Sequence, residues 1–167
     1  REGKPTNAQS EATSQTGLKN FVLQVPKRPI PDIVFQLNGD KEVGLEAFRG
    51  EVLVLNMWAT WCAPCRKEMP QLDALQAHFS NKNVRVIALS LDRGKGDKPR
   101  EFLQELGVRH LTWAHDGSYK SARQLGLIGL PTTLLIDVDG KEIGRLAGEA
   151  DWNSPQVHSL VETALGL

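Results

Sequence analysis

The chain has 167 residues, and its twenty basic and twenty acidic side chains cancel to a formal net charge of zero, with 40% of the residues apolar. That length fits one domain with its own core, and the balanced charge announces neither a nucleic-acid nor a membrane surface. No apolar run approaches the ~20 residues of a membrane span, no signal peptide precedes Arg1, and the start without Met is what a removed leading segment would leave.

Residues 1–20 read as a flexible tail or tether, and residues 21–167 as the domain. Up to Gly17 the tail is rich in Gln, Ser, Thr, Asn, Glu and Gly with no apolar period, so it cannot bury enough surface to offset ordering entropy. Pro26, Pro29 and Pro31 then predict a stiff extended approach. Ile33 to Leu37 followed by Asn38-Gly39-Asp40 reads as a strand and tight turn. Leu45, Phe48 and Gly50 suggest a short helical turn. The nearly continuous apolar run Val52 to Trp58 predicts a central strand buried on both faces.

Helical spacing follows from Ala63 to about Phe79, with Leu72, Leu75 and Phe79 on one side and a helix-distorting Pro70 inside. Val84 to Ser90 is another buried strand, and strand, helix, strand at this spacing implies a right-handed parallel crossover. A glycine-rich charged loop from Asp92 to Lys98 precedes a helix that starts near Asp97 and Pro99 and stops at Gly107. Leu111 to Ala114 predicts a short strand, and Ser118 to Leu125 a further helix. Asp139-Gly140 between Thr132–Val138 and Glu142–Ala147 is a hairpin signal. Ser154-Pro155 opens a last helix, with Val157, Leu160, Val161, Ala164 and Leu165 at helical spacing.

Chemistry concentrates in Trp61-Cys62-Ala63-Pro64-Cys65, which holds the only two cysteines of the chain. A structural staple across two residues would remove little entropy from the unfolded chain. Zinc would require further ligands, and His78, His110, His115 and His158 lie far apart with no ligand spacing. A copper(I) site on two soft thiolates remains open. A redox pair is favoured: the first cysteine, at a helix start, is expected to be acidic and exposed, and the second, one turn further in, to lie within reach of the first sulfur. Asp137-Val138-Asp139-Gly140 begins like a calcium loop but lacks the later ligands, and Arg93-Gly94-Lys95-Gly96 lacks the spacing of a phosphate loop.

Leu55 to Cys62, Arg66-Lys67-Glu68-Met69-Pro70 and Leu130-Pro131-Thr132-Thr133, in this order, resemble the membrane-tethered bacterial thioredoxins of the TlpA/ResA family, nearest its TlpA branch. Asp97-Lys98-Pro99 and Gly148 to Trp152 add to the likeness, which covers about Pro31 to Leu165. The resemblance implies an α/β thioredoxin-like fold: a central mixed sheet flanked by helices, an N-terminal strand or hairpin extension, and a helical insertion between the βαβ and ββα halves. It implies a periplasmic thiol–disulfide oxidoreductase, a monomer held at the inner membrane by an N-terminal anchor. That enzyme would draw electrons from a membrane thiol transporter and use no cofactor beyond its own Cys62–Cys65 disulfide. Partners of such families include apocytochrome c and the copper-site cysteines of cytochrome oxidase or its copper chaperone.

The residue roles follow from the same likeness. Cys62 attacks and Cys65 resolves; Trp61, Ala63 and Pro64 border the substrate; and Pro131 is cis, turning the Leu130 backbone outward to pair with an extended substrate. Glu68 either handles protons for the cysteines or is a solvated residue in a charged run with Arg66 and Lys67. Asn56 departs from cytoplasmic thioredoxins, which carry a buried aspartate there, so an aspartate relay cannot operate. The lean to a reductase rests on resemblance, since potentials of about −270 to −120 mV occur on related skeletons. Two alternatives remain. A peroxiredoxin shares the fold but would require a peroxidatic signature that Asn56 to Cys62 lacks. A copper chaperone would use Cys62 and Cys65 as ligands.

Overall fold

The computed structural model describes residues 16–167. Residues 1–15, which hold most of the tail reading, lie outside the described residues. Within the remainder of that reading Leu18 is buried in the core, so the packed domain begins a few residues before position 21.

In chain order the elements are β1 (Phe21–Pro29), β2 (Val34–Leu37), β3 (Lys41–Gly44), a 3₁₀ turn (Leu45–Phe48), β4 (Val52–Trp58), α1 (Ala63–His78), β5 (Val84–Ser90), α2 (Asp97–Glu105), β6 (Thr112–His115), α3 (Lys120–Gln124), β7 (Thr132–Ile136), β8 (Lys141–Ala147) and α4 (Pro155–Leu165). The strands form one mixed eight-stranded sheet in the order β1-β8-β7-β4-β5-β6-β2-β3. β4, β5 and β6 are mutually parallel, β7 lies antiparallel beside β4, and β8 pairs antiparallel with the far side of β7. This is the α/β sheet, flanked by helices, that the sequence predicts. The insertion between its halves carries a strand, β6, as well as α2 and α3.

Side-chain alternation along β4 explains its burial on both faces. Val52, Val54 and Trp58 enter a core shared with Leu72 and Leu75 of α1, Leu103 of α2, and Val157 and Val161 of α4. Leu53, Leu55 and Met57 enter a second core with Leu45 and Phe48 of the 3₁₀ turn and Ala122 of α3. At about 1.5–3 kcal/mol per large apolar side chain taken out of water, these two layers hold the helices to the sheet.

The N-terminal segment departs from the extended approach predicted on its prolines. β1 is a full strand pairing with β8 at the sheet edge, with a register shift between Leu23 and Arg28 that accommodates Pro26. Gly144 makes the pairing possible, because a Cβ there would lie 2.6 Å from the Phe21 ring. The Asp137–Gly140 turn is a hairpin and no ion loop: Asp137 Oδ1 accepts from the Asp139 and Lys141 amides, each at 2.9 Å, and Gly140 sits at φ +83°.

Register aligns Trp58 with Ser90 and Ser90 with His115, while Met57 pairs with Thr132 and Thr132 with Ala147. The C-terminal ends of β4, β5, β6 and β8 and the N-terminal start of β7 therefore share one rim of the sheet. The loops after Trp58, after Ser90 and before Thr132 all open there.

Candidate active site

Cys62 is the N-cap of α1, with extended backbone (φ −98°, ψ 106°), and Pro64 occupies the first turn, where a missing N–H costs nothing. The Cys62 carbonyl accepts from the Arg66 amide at 3.1 Å, which starts the helix. The cap sulfur thus sits where the unpaired first-turn amides and the helix dipole favour negative charge once it is a free thiolate. Cys62 and Cys65 are joined in a disulfide with their Cα atoms 5.3 Å apart. Cys65 is wholly buried, and Cys62 is only 7% exposed, so the first cysteine is far less open than its position in the sequence suggests. The exposed members of the motif are Trp61, at 68%, and Ala63, while Pro64 is half-buried. Trp58 is a core residue, its ring tilted against Phe102 at 5.9 Å, with the Arg66 guanidinium 5.6 Å above the same Phe102 ring.

Across the rim, the Leu130–Pro131 peptide bond is cis, Pro131 is buried and Leu130 half-buried, packed against both cores. The β7 ladder starts at Thr132, which leaves the Leu130 backbone outside it. Two residues earlier stands Ile128, 93% exposed, which the sequence reading passed over. Its signal was a bulky apolar side chain between Gly126 and Gly129, where no periodic pattern asks for one.

Glu68 is buried at 1% exposure, which excludes the solvated alternative. Its Oε1 accepts from Asn56 Nδ2 at 3.1 Å, and its Oε2 accepts from the Ala150 amide at 2.9 Å and from Trp152 Nε1 at 2.8 Å. Asn56 Nδ2 also donates to Thr133 Oγ1 at 2.9 Å. Burial pushes the Glu68 carboxyl up to about 7, and Glu149 adds repulsion, against the lowering effect of the Ala150, Trp152 and Asn56 donors. Glu68 shares a helix face with Cys65, three residues before it.

A raised folded-state pKa has a definite sign in stability. The carboxyl holds its proton more tightly folded than unfolded, so its contribution is fully present below about pH 4.5 and is lost as pH rises through about 7. The spread corresponds to about 3 kcal/mol. Urea unfolding of the disulfide form between pH 4 and 8 should show that fall in the wild type and a much flatter curve in Glu68→Gln.

A second buried carboxylate, absent from the sequence reading, sits on the same rim. Asp92, 5% exposed, follows β5. It accepts from Thr60 Oγ1 at 2.6 Å, from the Thr60 amide at 3.0 and 3.2 Å, and from Ser90 Oγ at 2.6 Å. His115 Nε2 lies 2.7 Å from the Asp92 carbonyl. These bonds fasten the Cys62 loop to the end of β5.

Among the described residues, no group of three or more histidines, cysteines and carboxylates is placed to hold a metal ion, and no helix is long and apolar enough to cross a membrane.

The redoxin family model matches residues 26–163. Thiol-disulfide oxidoreductase ResA of Bacillus thuringiensis subsp. konkukian is 35% identical over 131 residues, covering 78% of this chain and 74% of that protein. Thiol:disulfide interchange protein DsbE of Vibrio cholerae serotype O1 is 38% identical over 93 residues, covering 56% and 48%. Among solved structures, that of a candidate thiol:disulfide interchange protein DsbE from Chlorobium tepidum superposes with a TM-score of 0.75 at 30% identity, over 84% of this chain and 97% of that one.

Proposed function

The chain belongs to the redoxin family as a thiol–disulfide oxidoreductase similar to ResA and DsbE, and we propose that it works as a reductase of disulfides in partner proteins of the periplasm. The observation that carries this reading is the Cys62–Cys65 pair at the start of α1, with the attacking sulfur at the helix cap and its twin wholly buried behind it.

In the reduced protein the Cys62 thiolate attacks one sulfur of the partner's disulfide. An S–S bond forms between enzyme and partner, and the partner's other sulfur leaves as a thiolate. Cys65 then loses its proton to Glu68 and attacks the Cys62 sulfur. That closes the Cys62–Cys65 disulfide and releases the second partner thiolate, so two electrons have passed to the partner. A carboxyl whose pKa lies near 7 takes up and returns a proton at small cost near neutral pH. The redox group is the cysteine pair itself, with no further cofactor.

Trp61, Ala63, Pro64 and Leu130 form the contact surface, and the Leu130 backbone, free of the β7 ladder, pairs with an extended segment of the partner. The partners are apocytochrome c or the copper-site cysteines of cytochrome oxidase or its copper chaperone. Electrons come from a membrane thiol transporter, and the domain is a monomer held at the inner membrane by a segment N-terminal to it.

Trapping tests this directly. Cys65→Ser should accumulate a mixed disulfide through Cys62 in the native cell envelope, and the captured proteins should be few and rich in cytochrome or oxidase-assembly cysteines. Capture of a broad set of unfolded secreted proteins would mark an oxidase or isomerase instead.

A further inference from the structure

The loop from Gly148 to Asn153, between β8 and α4, touches both halves of the site. At its start the Gly148 amide donates to the Pro131 carbonyl at 2.8 Å. Further on, Glu149 Oε2 lies 3.5 Å from Lys67 Nζ, and the Trp152 amide donates to Gln71 Oε1 at 3.1 Å. Between these, the Ala150 amide and Trp152 Nε1 both donate to the same oxygen of Glu68. Trp152 is 3% exposed and packs into the core that contains Cys62 and Cys65.

Among the described residues, two of the three donors that hold the Glu68 carboxylate therefore come from this loop. Hydrogen bonds to an ionised acceptor are roughly twice as strong as neutral ones, so the hold of the loop on α1 weakens whenever Glu68 takes a proton. The far end of the same loop is fixed to Pro131. Glu149 on the loop repels the carboxyl and is drawn to Lys67, Asp151 is exposed, and β4 and β7 present the uncharged Asn56 and Thr133. The cysteines titrate only after the disulfide opens.

We propose that Gly148–Trp152 is a strap linking the proton on Glu68 to the substrate-docking segment at Pro131, with Trp152 as the positioning residue that sets how tightly Glu68 holds that proton. Glu68 as proton acceptor for Cys65 is the premise taken from the reading above; the strap adds what tunes that acceptor and where its charge state is felt.

Trp152→Phe keeps an aromatic ring in the core and removes the donor, together with part of the indole's volume. Loss of a bond to the charged form raises the midpoint of the Glu68 carboxyl, and one such bond corresponds to about one pH unit. Carbon-13 carboxyl NMR of the disulfide form should show that upward shift. The pH profile for resolution of a mixed disulfide between Cys62 and a glutathione probe should shift the same way. In a Glu68→Gln background, Trp152→Phe should no longer move the profile. In the otherwise unaltered protein, the Gly148 amide resonance should titrate with the Glu68 midpoint, and in Glu68→Gln it should stay flat.

A Glu68 midpoint that stays put or falls in Trp152→Phe overturns the positioning role. A Gly148 amide indifferent to Glu68 overturns the strap. A shifted carboxyl midpoint with an unshifted resolution profile supports the positioning role and overturns instead the use of Glu68 by Cys65.

Discussion

Cys62→Ser is expected to abolish disulfide exchange, lowering turnover roughly a thousand-fold or more, the scale of losing an enzymic nucleophile. The hydroxyl that replaces the thiol is not ionised near neutral pH, and the α1 cap cannot make it so. Serine also cannot form the S–S bond through which both electrons pass. Cys65→Ser should behave differently. Its attacking sulfur remains at the cap, so one equivalent of partner thiol should be released in a burst, after which the reaction stops at the mixed disulfide. Insulin or a fluorogenic disulfide peptide, followed through the first turnover, separates the two variants. A burst from Cys62→Ser would assign the attacking role to Cys65, and sustained turnover from Cys65→Ser would show that release of the partner does not require Cys65. Since Cys62 is 7% exposed and Cys65 is wholly buried, the geometry favours the assignment made here.

Much of this site was legible in the sequence because its signals are local. The apolar run ending at Trp58, the cysteine pair and the helical spacing after it all lie within one strand–loop–helix unit, and Asp139-Gly140 marks its hairpin within a few residues. What escaped was long-range. β1 looked like an approach segment because its prolines argue against a central strand. Only its pairing with β8, far along the chain, shows that it is an edge strand.

Glu68 presents the same difficulty. Its neighbours Arg66 and Lys67 are exposed and suggest a solvated face, while its partners are Asn56 on β4 and the Ala150 and Trp152 donors that arrive after β8. A charged side chain is buried only when such donors converge on it, and local periodicity carries no record of them. The same holds for Asp92, which opens a glycine-rich charged stretch whose next three residues, Arg93, Gly94 and Lys95, are exposed.

Asp92→Ala is expected to destabilise the fold by about 3 kcal/mol or more, since each buried donor left without a partner costs about 1–3 kcal/mol. The groups stranded would be the Thr60 amide, the Thr60 hydroxyl and the Ser90 hydroxyl. Asp92→Asn should cost less. Its remaining oxygen can still accept from the Thr60 amide, and a hydroxyl can turn to accept from the new amide. The consequence for function follows from position. Thr60 stands two residues before Cys62, and the Cys62 amide bonds back to the Ala59 carbonyl at 3.1 Å. Freeing Thr60 therefore loosens the turn that presents the attacking sulfur at the α1 cap. Urea unfolding measures the first effect. The second-order rate of the reduced protein with a disulfide peptide, measured well below the unfolding transition, measures the second and should fall about ten-fold, corresponding to ~1.4 kcal/mol in the barrier. If stability drops while the rate per folded molecule is unchanged, Asp92 holds the rim together without placing the nucleophile. If both fall together in Asp92→Ala and largely recover in Asp92→Asn, the carboxylate that anchors Thr60 also sets the geometry of attack.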